Sequence, residues 1–289
     1  MNIDFENDFE APVLVGEGGT GKVYRVKEKS TGVFYALKIL ENEKLWDTEV
    51  TILNEADHEL FPHIIASGKE DGKCYILMEY IWGDNLAEVI LRRKGFAQAE
   101  AMRMALMIAD GLGWLQTKER PVIFRDLKAE NIIMSPDGSV RLIDLGSACF
   151  AKDAEKAITG TEGISAPEQF EGKAGLYSDV YAFGKLFRFM LTGNRDDEYL
   201  ENGMLRPITD YDPMFSYSLE LLLEDCTGIV PEDRLPDMYC VTKRMVDIAS
   251  QSPRQYKKSE KLAKAAVAKR VAGASEGKMQ VKFQKNIKQ

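Results

Sequence analysis

Apolar and polar residues alternate from Pro12 to Leu40, and a period of two predicts strands. PVLV leads into a glycine cluster at Gly16, Gly18, Gly19 and Gly21. The alternating KVYRVK, a polar turn from Lys29 to Gly32, and VFYALKIL follow, so three antiparallel strands are expected. The period then lengthens. Val50, Leu53 and Ala56 share one face of a short helix predicted over 47–57, Pro62 breaks the chain, and HIIASG and CYILMEYI supply two more strands. A small sheet with one helix accounts for residues 1 to about 80.

After IWGD the pattern becomes helical. Between Gln98 and Gln116, Ala101, Met104, Ala105, Ile108, Leu112 and Leu115 form one stripe, and Val180 to Leu191 predicts another apolar helix ended by Gly193. Between them NIIM and VRLID flank the turn SPDGS, which has good hairpin chemistry. No internal repeat is present. Residues 254–272 contain good helix formers but few large apolar side chains, which predicts a basic, solvated segment that need not pack on anything.

Composition narrows the chemistry. With 289 residues and 45% hydrophobic content the chain can bury a substantial core. No run approaches the roughly 18 apolar residues that span a bilayer, and MNIDFENDFE is acidic where a signal peptide is basic and then apolar, so a cytoplasmic protein is expected. Cys74, Cys149, Cys226 and Cys240 are widely separated, and His58 and His63 are the only histidines, which disfavours a disulfide framework and a zinc site. Chemistry must then rest on carboxylates, lysines, backbone amides and a bound cofactor. The net charge of −8 conceals an asymmetry: residues 252–289 hold 11 Lys/Arg and two acids, a net of +9, against −17 for residues 1–251. Such a basic tail could be a solvated extension, fold against the acidic body, or contact nucleic acid, an anionic membrane or a partner.

The glycine cluster Gly16-Glu-Gly-Gly-Thr-Gly21-Lys22-Val23 has three readings. As a P-loop it ends in Val23 where a hydroxyl should ligate magnesium. Both that reading and a dinucleotide fingerprint need a helix next, whereas VYRV alternates. A hairpin whose glycine tip lets backbone N–H groups approach a triphosphate fits the context, and a hairpin without ligand stays open on this segment alone. Lys38 then ends the alternation in YALK. An inward-pointing lysine needs an anionic partner, which Glu49 and a phosphate would supply; a surface lysine on an edge strand is the alternative.

Most informative is VIFRDLKAENIIMS followed by RLIDLGS, which gathers Asp126, Lys128, Asn131 and Asp144 around one short hairpin. With GTEGISAPEQF, SDVYAFG and EDRLP downstream, the chain from about residue 10 to 250 resembles the eukaryotic-like (Hanks-type) serine/threonine protein kinases, in a form that looks bacterial. The resemblance implies an α+β bilobal kinase fold: an N-lobe over 1–81, a C-lobe over 82–251, and a basic extension over 252–289. It implies that Asp126 accepts the substrate hydroxyl proton, Lys128 neutralises the transferring phosphoryl, and Asn131 with Asp144 holds Mg2+ or Mn2+ bridging the ATP phosphates. Gly16, Gly18 and Gly21 would form the phosphate loop, and Lys38 paired with Glu49 would position the phosphates.

For adenine the resemblance implies apolar walls from Val15, Val23, Ala36 and Ile133, a gate at Met78, and a polar edge from the backbone of Glu79 and Ile81, with Asp84 or Asn85 at the ribose. Glu168 would pair with Arg234, Asp179 would brace the catalytic loop, and Thr161 would contact the catalytic aspartate and lysine. Arg125 would pair with a phosphorylated activation segment, with Thr159 ahead of Ser147 and Thr161 as its autophosphorylation site. Protein substrates, and self-association for that step, follow from the same resemblance. Phe124, Ala129 and Leu145 depart from the family's usual histidine or tyrosine, proline and phenylalanine. None of the three carries charge, so the expected effect falls on switching, with Phe124 and Leu145 joining Leu53 in an apolar stack near Ser67. A pseudokinase scaffold and a small-molecule phosphotransferase are the rival functions.

Overall fold

The computed structural model describes residues 5–70, 72–156, 158–195 and 205–276, and the two-lobed α+β architecture expected from the sequence is the one that forms. A short helix, α1 (Phe5–Asp8), precedes β1 (Val13–Gly18), β2 (Gly21–Lys27), β3 (Phe34–Leu40), α2 (Glu43–Glu55), β4 (Ile64–Glu70) and β5 (Lys73–Glu79). The strands make one antiparallel sheet in the order β1-β2-β3-β5-β4. Helix α2 starts four residues earlier than the apolar spacing suggested, because the Asn42 side chain accepts the Leu45 N–H and caps it.

Register assigns each face. Val23 lies opposite Lys38, and Ala36 opposite both Arg25 and Met78, so these side chains share the face that looks toward α2 and the second lobe. The other face carries Val26, Leu37 and Leu77, and the N-terminal segment covers it. Phe9 is buried there and Phe5 meets Tyr75 edge-on at 4.9 Å. The Glu10 and Lys29 N–H groups tie the segment to β2 and its turn.

The second lobe is mainly helical: β6 (Asp84–Asn85), α3 (Leu86–Arg93), α4 (Gln98–Gln116), β7 (Val122–Ile123), β8 (Ile132–Met134), β9 (Val140–Leu142), β10 (Cys149–Phe150), α5 (Leu176–Thr192), α6 (Tyr217–Thr227), α7 (Met238–Ala249) and α8 (Pro253–Glu276). The predicted stripe of α4 is wholly buried, and Gly193 closes α5 in the left-handed conformation that an L side chain resists. Leu53, Phe124 and Leu145 are buried in one continuous apolar cluster that runs from the small lobe into the large one. The three substituted positions therefore keep an unbroken seam; Ser67 is only half-buried. Among the described residues no helix is long and apolar enough to cross a membrane.

Of the readings left open for the basic tail, folding against the acidic body is the one its described part adopts, and the expectation of a segment that packs on nothing is overturned. Helix α8 does not hang in solvent but packs on α6, burying Ala263 and Val267, one turn apart. The Glu260 carboxylate accepts the N–H groups of Tyr217 at 2.7 Å and Ser218 at 2.9 Å, two orphan donors of the α6 N-terminus, while Ser216 caps Leu219. Arg270 pairs with Glu224 and approaches Asp225. The acidic body thus supplies the countercharge for Arg270; residues 277–289 lie outside the described residues. Glu260→Ala is expected to lower unfolding free energy by about 1–2 kcal/mol, the scale of a lost cap, and Glu260→Gln by less; thermal denaturation of both variants checks this.

Candidate active site

The cleft between the lobes has a volume of about 830 Å³, within the range of small-molecule sites. Its small-lobe wall is the glycine loop with β3, and its floor is the β8–β9 hairpin with the loop before it. Gly21 is demanded by the backbone: its φ is +146°, and a Cβ would stand 2.3 Å from the Ile39 carbonyl oxygen. The other loop glycines are not demanded in this way. A Cβ on Gly18 or Gly19 would meet nothing within 4 Å, and one on Gly16 only Val23 at 3.9 Å, so the loop leaves open the space that side chains would fill.

Lys38 enters the cleft from β3 and is almost fully buried. Its Nζ donates to both oxygens of Glu49, at 2.7 and 2.8 Å, and to Asp144 at 2.8 Å. Burial alone would lower the lysine pKa, but the two carboxylates outweigh it and hold Lys38 above its ordinary value. Burial would likewise raise Asp144, yet Lys38 and the Gly146 N–H keep its carboxyl below the usual range. Glu49, with less to offset its burial, stays above that range, so of these two carboxylates it takes up a proton first on acidification.

Asp126 stands where three side chains converge. Its Oδ1 accepts the Thr161 hydroxyl at 2.8 Å, and its Oδ2 accepts from Asn131 at 3.0 Å and pairs with Lys128 at 2.8 Å. Lys128 also reaches the Thr161 hydroxyl at 3.1 Å. Because the Asn131 Nδ2 is spent on Asp126, the atom that residue offers to the cleft is its amide oxygen. On Asp144, Oδ1 takes both Lys38 and Gly146, which leaves Oδ2. Two hard oxygen donors thus face one cavity, and among the described residues no group of three or more His, Cys, Asp or Glu completes a cage. That donor set suits Mg2+, which is held by one or two protein oxygens together with substrate phosphates and water.

The supports of the loop are buried polar residues. Asp179 accepts the N–H groups of Phe124 and Arg125, both at 2.9 Å, and the Gln116 amide at 3.1 Å; burial pushes its carboxyl up to about 6 despite these donors. Glu168 takes both arms of Arg234, at 2.7 and 2.9 Å, and the Ser178 hydroxyl at 2.7 Å. Burial would raise Glu168, but these partners outweigh it and hold the carboxyl below the ordinary range. Arg125 adopts φ +67°, sends Nε to the Ser147 carbonyl at 2.6 Å, and keeps Nη1 buried without a hydrogen-bond partner among the described residues.

Two supports were invisible in the sequence. Gln169 donates to the carbonyls of Arg125 and Thr159, tying the activation segment to the catalytic loop, and Gln116 joins Asp179 to the Met238 N–H. Glutamines in helical stretches read as solvent-facing, and nothing in their spacing marks these as buried.

An amide at position 179 has only one oxygen to accept with, so Asp179→Asn turns an NH2 group toward backbone N–H donors. An unmet buried N–H costs about 1–3 kcal/mol, so the variant is expected to lose stability by that amount and turnover by tenfold or more. Thermal denaturation and steady-state kinetics check both. In the native chain Asp179 keeps its proton up to about pH 6 when folded and only to 3.8 as a free carboxyl. Folding therefore takes up a proton in that interval, and this group's contribution to stability falls as pH rises through it and levels off above 6. Turnover should run the other way, because the ionised form is the one that accepts all three donors.

Val15, Val23, Ala36, Met78 and Ile133, the residues expected to wall an adenine, all line the cleft, with Glu79, Tyr80 and Ile81 along the connecting segment. Of the two residues expected at the ribose, Asp84 or Asn85, the cleft takes the second. Asp84 does not line the cleft; it faces Arg92 at 2.6 Å on the surface. Asn85 does line it but is occupied as the cap of α3, accepting from Ala87 and donating to the Glu130 carbonyl at 2.7 Å. Glu88, not singled out in the sequence, takes the rim position one helical turn on.

A glycine-tipped sheet closing on a helical lobe, with a lysine–glutamate pair above and an Asp-Lys-Asn loop below, defines the protein kinase class of folds. A profile of the protein kinase domain matches residues 9–235, and the chain belongs to that family. It is similar to the human cAMP-dependent protein kinase catalytic subunit PRKX, with 32% identity over 195 residues, covering 64% of this chain and 54% of that protein. It is also similar to the Arabidopsis thaliana probable serine/threonine-protein kinase PBL8, 33% identical over 65% of this chain and 50% of that protein. A RAC family serine/threonine-protein kinase homolog of Dictyostelium discoideum is 29% identical over 80% of this chain and 55% of that protein. The chain spans about half the length of these curated relatives, and their human, plant and amoebal sources give no support to the bacterial look of the sequence.

Proposed function

We propose that this chain is a serine/threonine protein kinase that moves the γ-phosphoryl group of Mg-ATP to a protein hydroxyl. The observation that carries the reading is Asp126, held at 2.8–3.0 Å by Thr161, Lys128 and Asn131 in the same cleft as the Lys38–Asp144 pair. Asp126 orients the acceptor hydroxyl and takes its proton as the oxygen attacks phosphorus and ADP leaves. Lys128 offsets the charge spread over the transferring group, and Lys38, fixed by Glu49, holds the phosphates. Asn131 and Asp144 would hold the divalent ions, which supply charge neutralisation at the phosphates when bound. The two lobes are assigned to 1–81 and 82–251, with 252–289 as an extension of the second.

Autophosphorylation of Thr159 extends the reading. Its support is the buried Nη1 of Arg125, without a hydrogen-bond partner among the described residues, and the Gln169 amide that joins the Arg125 carbonyl to that of Thr159. A phosphate there would meet an unpaired guanidinium nitrogen. The test incubates the chain with γ-labelled ATP, Mg2+ and a generic protein acceptor. Label is expected in phosphoserine and phosphothreonine, with mass spectrometry finding phosphate at Thr159. Binding of ATP without label in any protein would favour a scaffold instead, and label at other sites alone would remove Thr159 from the proposal.

A further inference from the structure

One cation beside the adenine end takes no part in the chemistry above. Arg25 lies on β2, on the same face as Val23, and opposite Ala36, so its side chain projects from the sheet face that forms the adenine walls. No carboxylate forms an ion pair with it among the described residues. Three rings surround it instead: its guanidinium carbon is 5.5 Å from the centroid of Phe34 and 5.9 Å from those of Tyr80 and Trp82. The rings also hold one another, with Phe34 meeting Trp82 edge-on at 5.3 Å and Tyr80 meeting Trp82 at 4.8 Å.

The origin of the rings gives the cluster its meaning. Phe34 opens β3, which carries Ala36 and Lys38, whereas Tyr80 and Trp82 belong to the segment that connects the lobes. That segment is fastened to the large lobe as well, through the Ser135 hydroxyl on the Trp82 carbonyl at 3.2 Å. Glu79, at its start, is held by Arg141 at 2.7 Å. Arg25 is thus the small-lobe fastening of a short strap whose other ties reach the large lobe. A guanidinium suits this place because it is planar, stacks on aromatic faces and is more weakly hydrated than an ammonium.

We propose that Arg25 is a positioning residue for the nucleotide. By caging its guanidinium among Phe34, Tyr80 and Trp82 it fixes the strap against β2 and β3 and so sets the backbone of Glu79–Ile81 for the adenine edge. The inference rests on the nucleotide reading given under Proposed function. It makes Arg25 a determinant of ATP affinity and leaves the transfer step to Asp126, Lys128 and Lys38, none of which touches the cluster.

The test measures Mg-ATP affinity by calorimetry, and KM and kcat, for the full chain and for Arg25→Ala, Arg25→Lys, Trp82→Ala and the Arg25→Ala/Trp82→Ala pair. Cation–π contacts of this kind convert to roughly 5- to 30-fold, so Arg25→Ala should raise the Kd and KM for ATP by about that factor with kcat at saturating ATP unchanged. Arg25→Lys should recover part of the loss. In the Trp82→Ala background, Arg25→Ala should add less than it does alone, since one of its three ring contacts is already gone while Phe34 and Tyr80 remain. Without nucleotide, Arg25→Ala should shift the tryptophan emission of the native chain and leave that of Trp82→Ala unmoved. An unchanged ATP affinity in Arg25→Ala, an effect confined to kcat, or additive losses in the pair would overturn the inference. A native chain that binds no Mg-ATP would overturn the nucleotide reading itself, whereas loss of affinity only on substitution cannot come from that failure.

Discussion

Lys38→Met is expected to lower phosphoryl transfer by at least about 10²- to 10³-fold, the scale for removing one preorganised charge-stabilising donor. Stability should fall with it. Among the described residues Lys38 is the only cation on Glu49, which is buried, and removing one partner of a buried pair costs about 3–5 kcal/mol. The two losses can be separated. Adding Glu49→Leu should restore most of the melting temperature, because no buried carboxylate is left uncompensated, while activity stays lost. Acidification should act in the same direction on the single variant: Glu49 is already displaced upward by burial, so folding of Lys38→Met takes up a proton and its stability rises as pH falls. A double variant as unstable as the single one would mean that the loss does not come from an uncompensated buried Glu49.

Asp126→Asn is expected to cut turnover by about 10² to 10⁴, the range for a positioned general base, with the affinity for Mg-ATP unchanged within a few-fold. The side chain keeps its shape and one acceptor, so Thr161 can still donate to it, but the amide loses the pairing with Lys128 and the bond from Asn131. Stability should therefore change little, and the loss should appear in kcat. Single-turnover kinetics beside calorimetric ATP binding would show this split. A loss carried by ATP affinity alone would place Asp126 in nucleotide binding and away from the acceptor.

What the sequence disclosed and what it hid follow one physical division. Strand alternation around Gly16 to Gly21 and the apolar stripe of α4 are local patterns, and each became the element its period predicts. Asp126, Lys128, Asn131 and Asp144 could be gathered because a single short hairpin holds them, so chain proximity stands in for spatial proximity. The start of α2 was missed because an Asn cap outweighed the apolar spacing. The docking of α8 was only one of several open readings because its buried side chains are small, Ala263 and Val267, and its main tie is a carboxylate on the backbone of another helix 42 residues away. Asp84 and Asn85 could not be told apart because two adjacent polar residues at a strand–helix junction point different ways, and an arginine on α3 takes the first. Gln116, Gln169 and the Arg25 cluster depend on contacts between distant elements, which no period records.

The central claim is that the oxygen donors of Asn131 and Asp144, with Lys38, define where a triphosphate and its metal lie, and that Asp126 faces the acceptor from the same cleft. Its most direct test is a crystal structure of this chain with Mg2+ and a non-hydrolysable ATP analogue. The account predicts phosphate oxygens within hydrogen-bond reach of Lys38, metal bound by the Asn131 amide oxygen and the Asp144 carboxylate, and the γ-phosphoryl group directed toward Asp126. A nucleotide seated elsewhere, or metal held by neither residue, would contradict it.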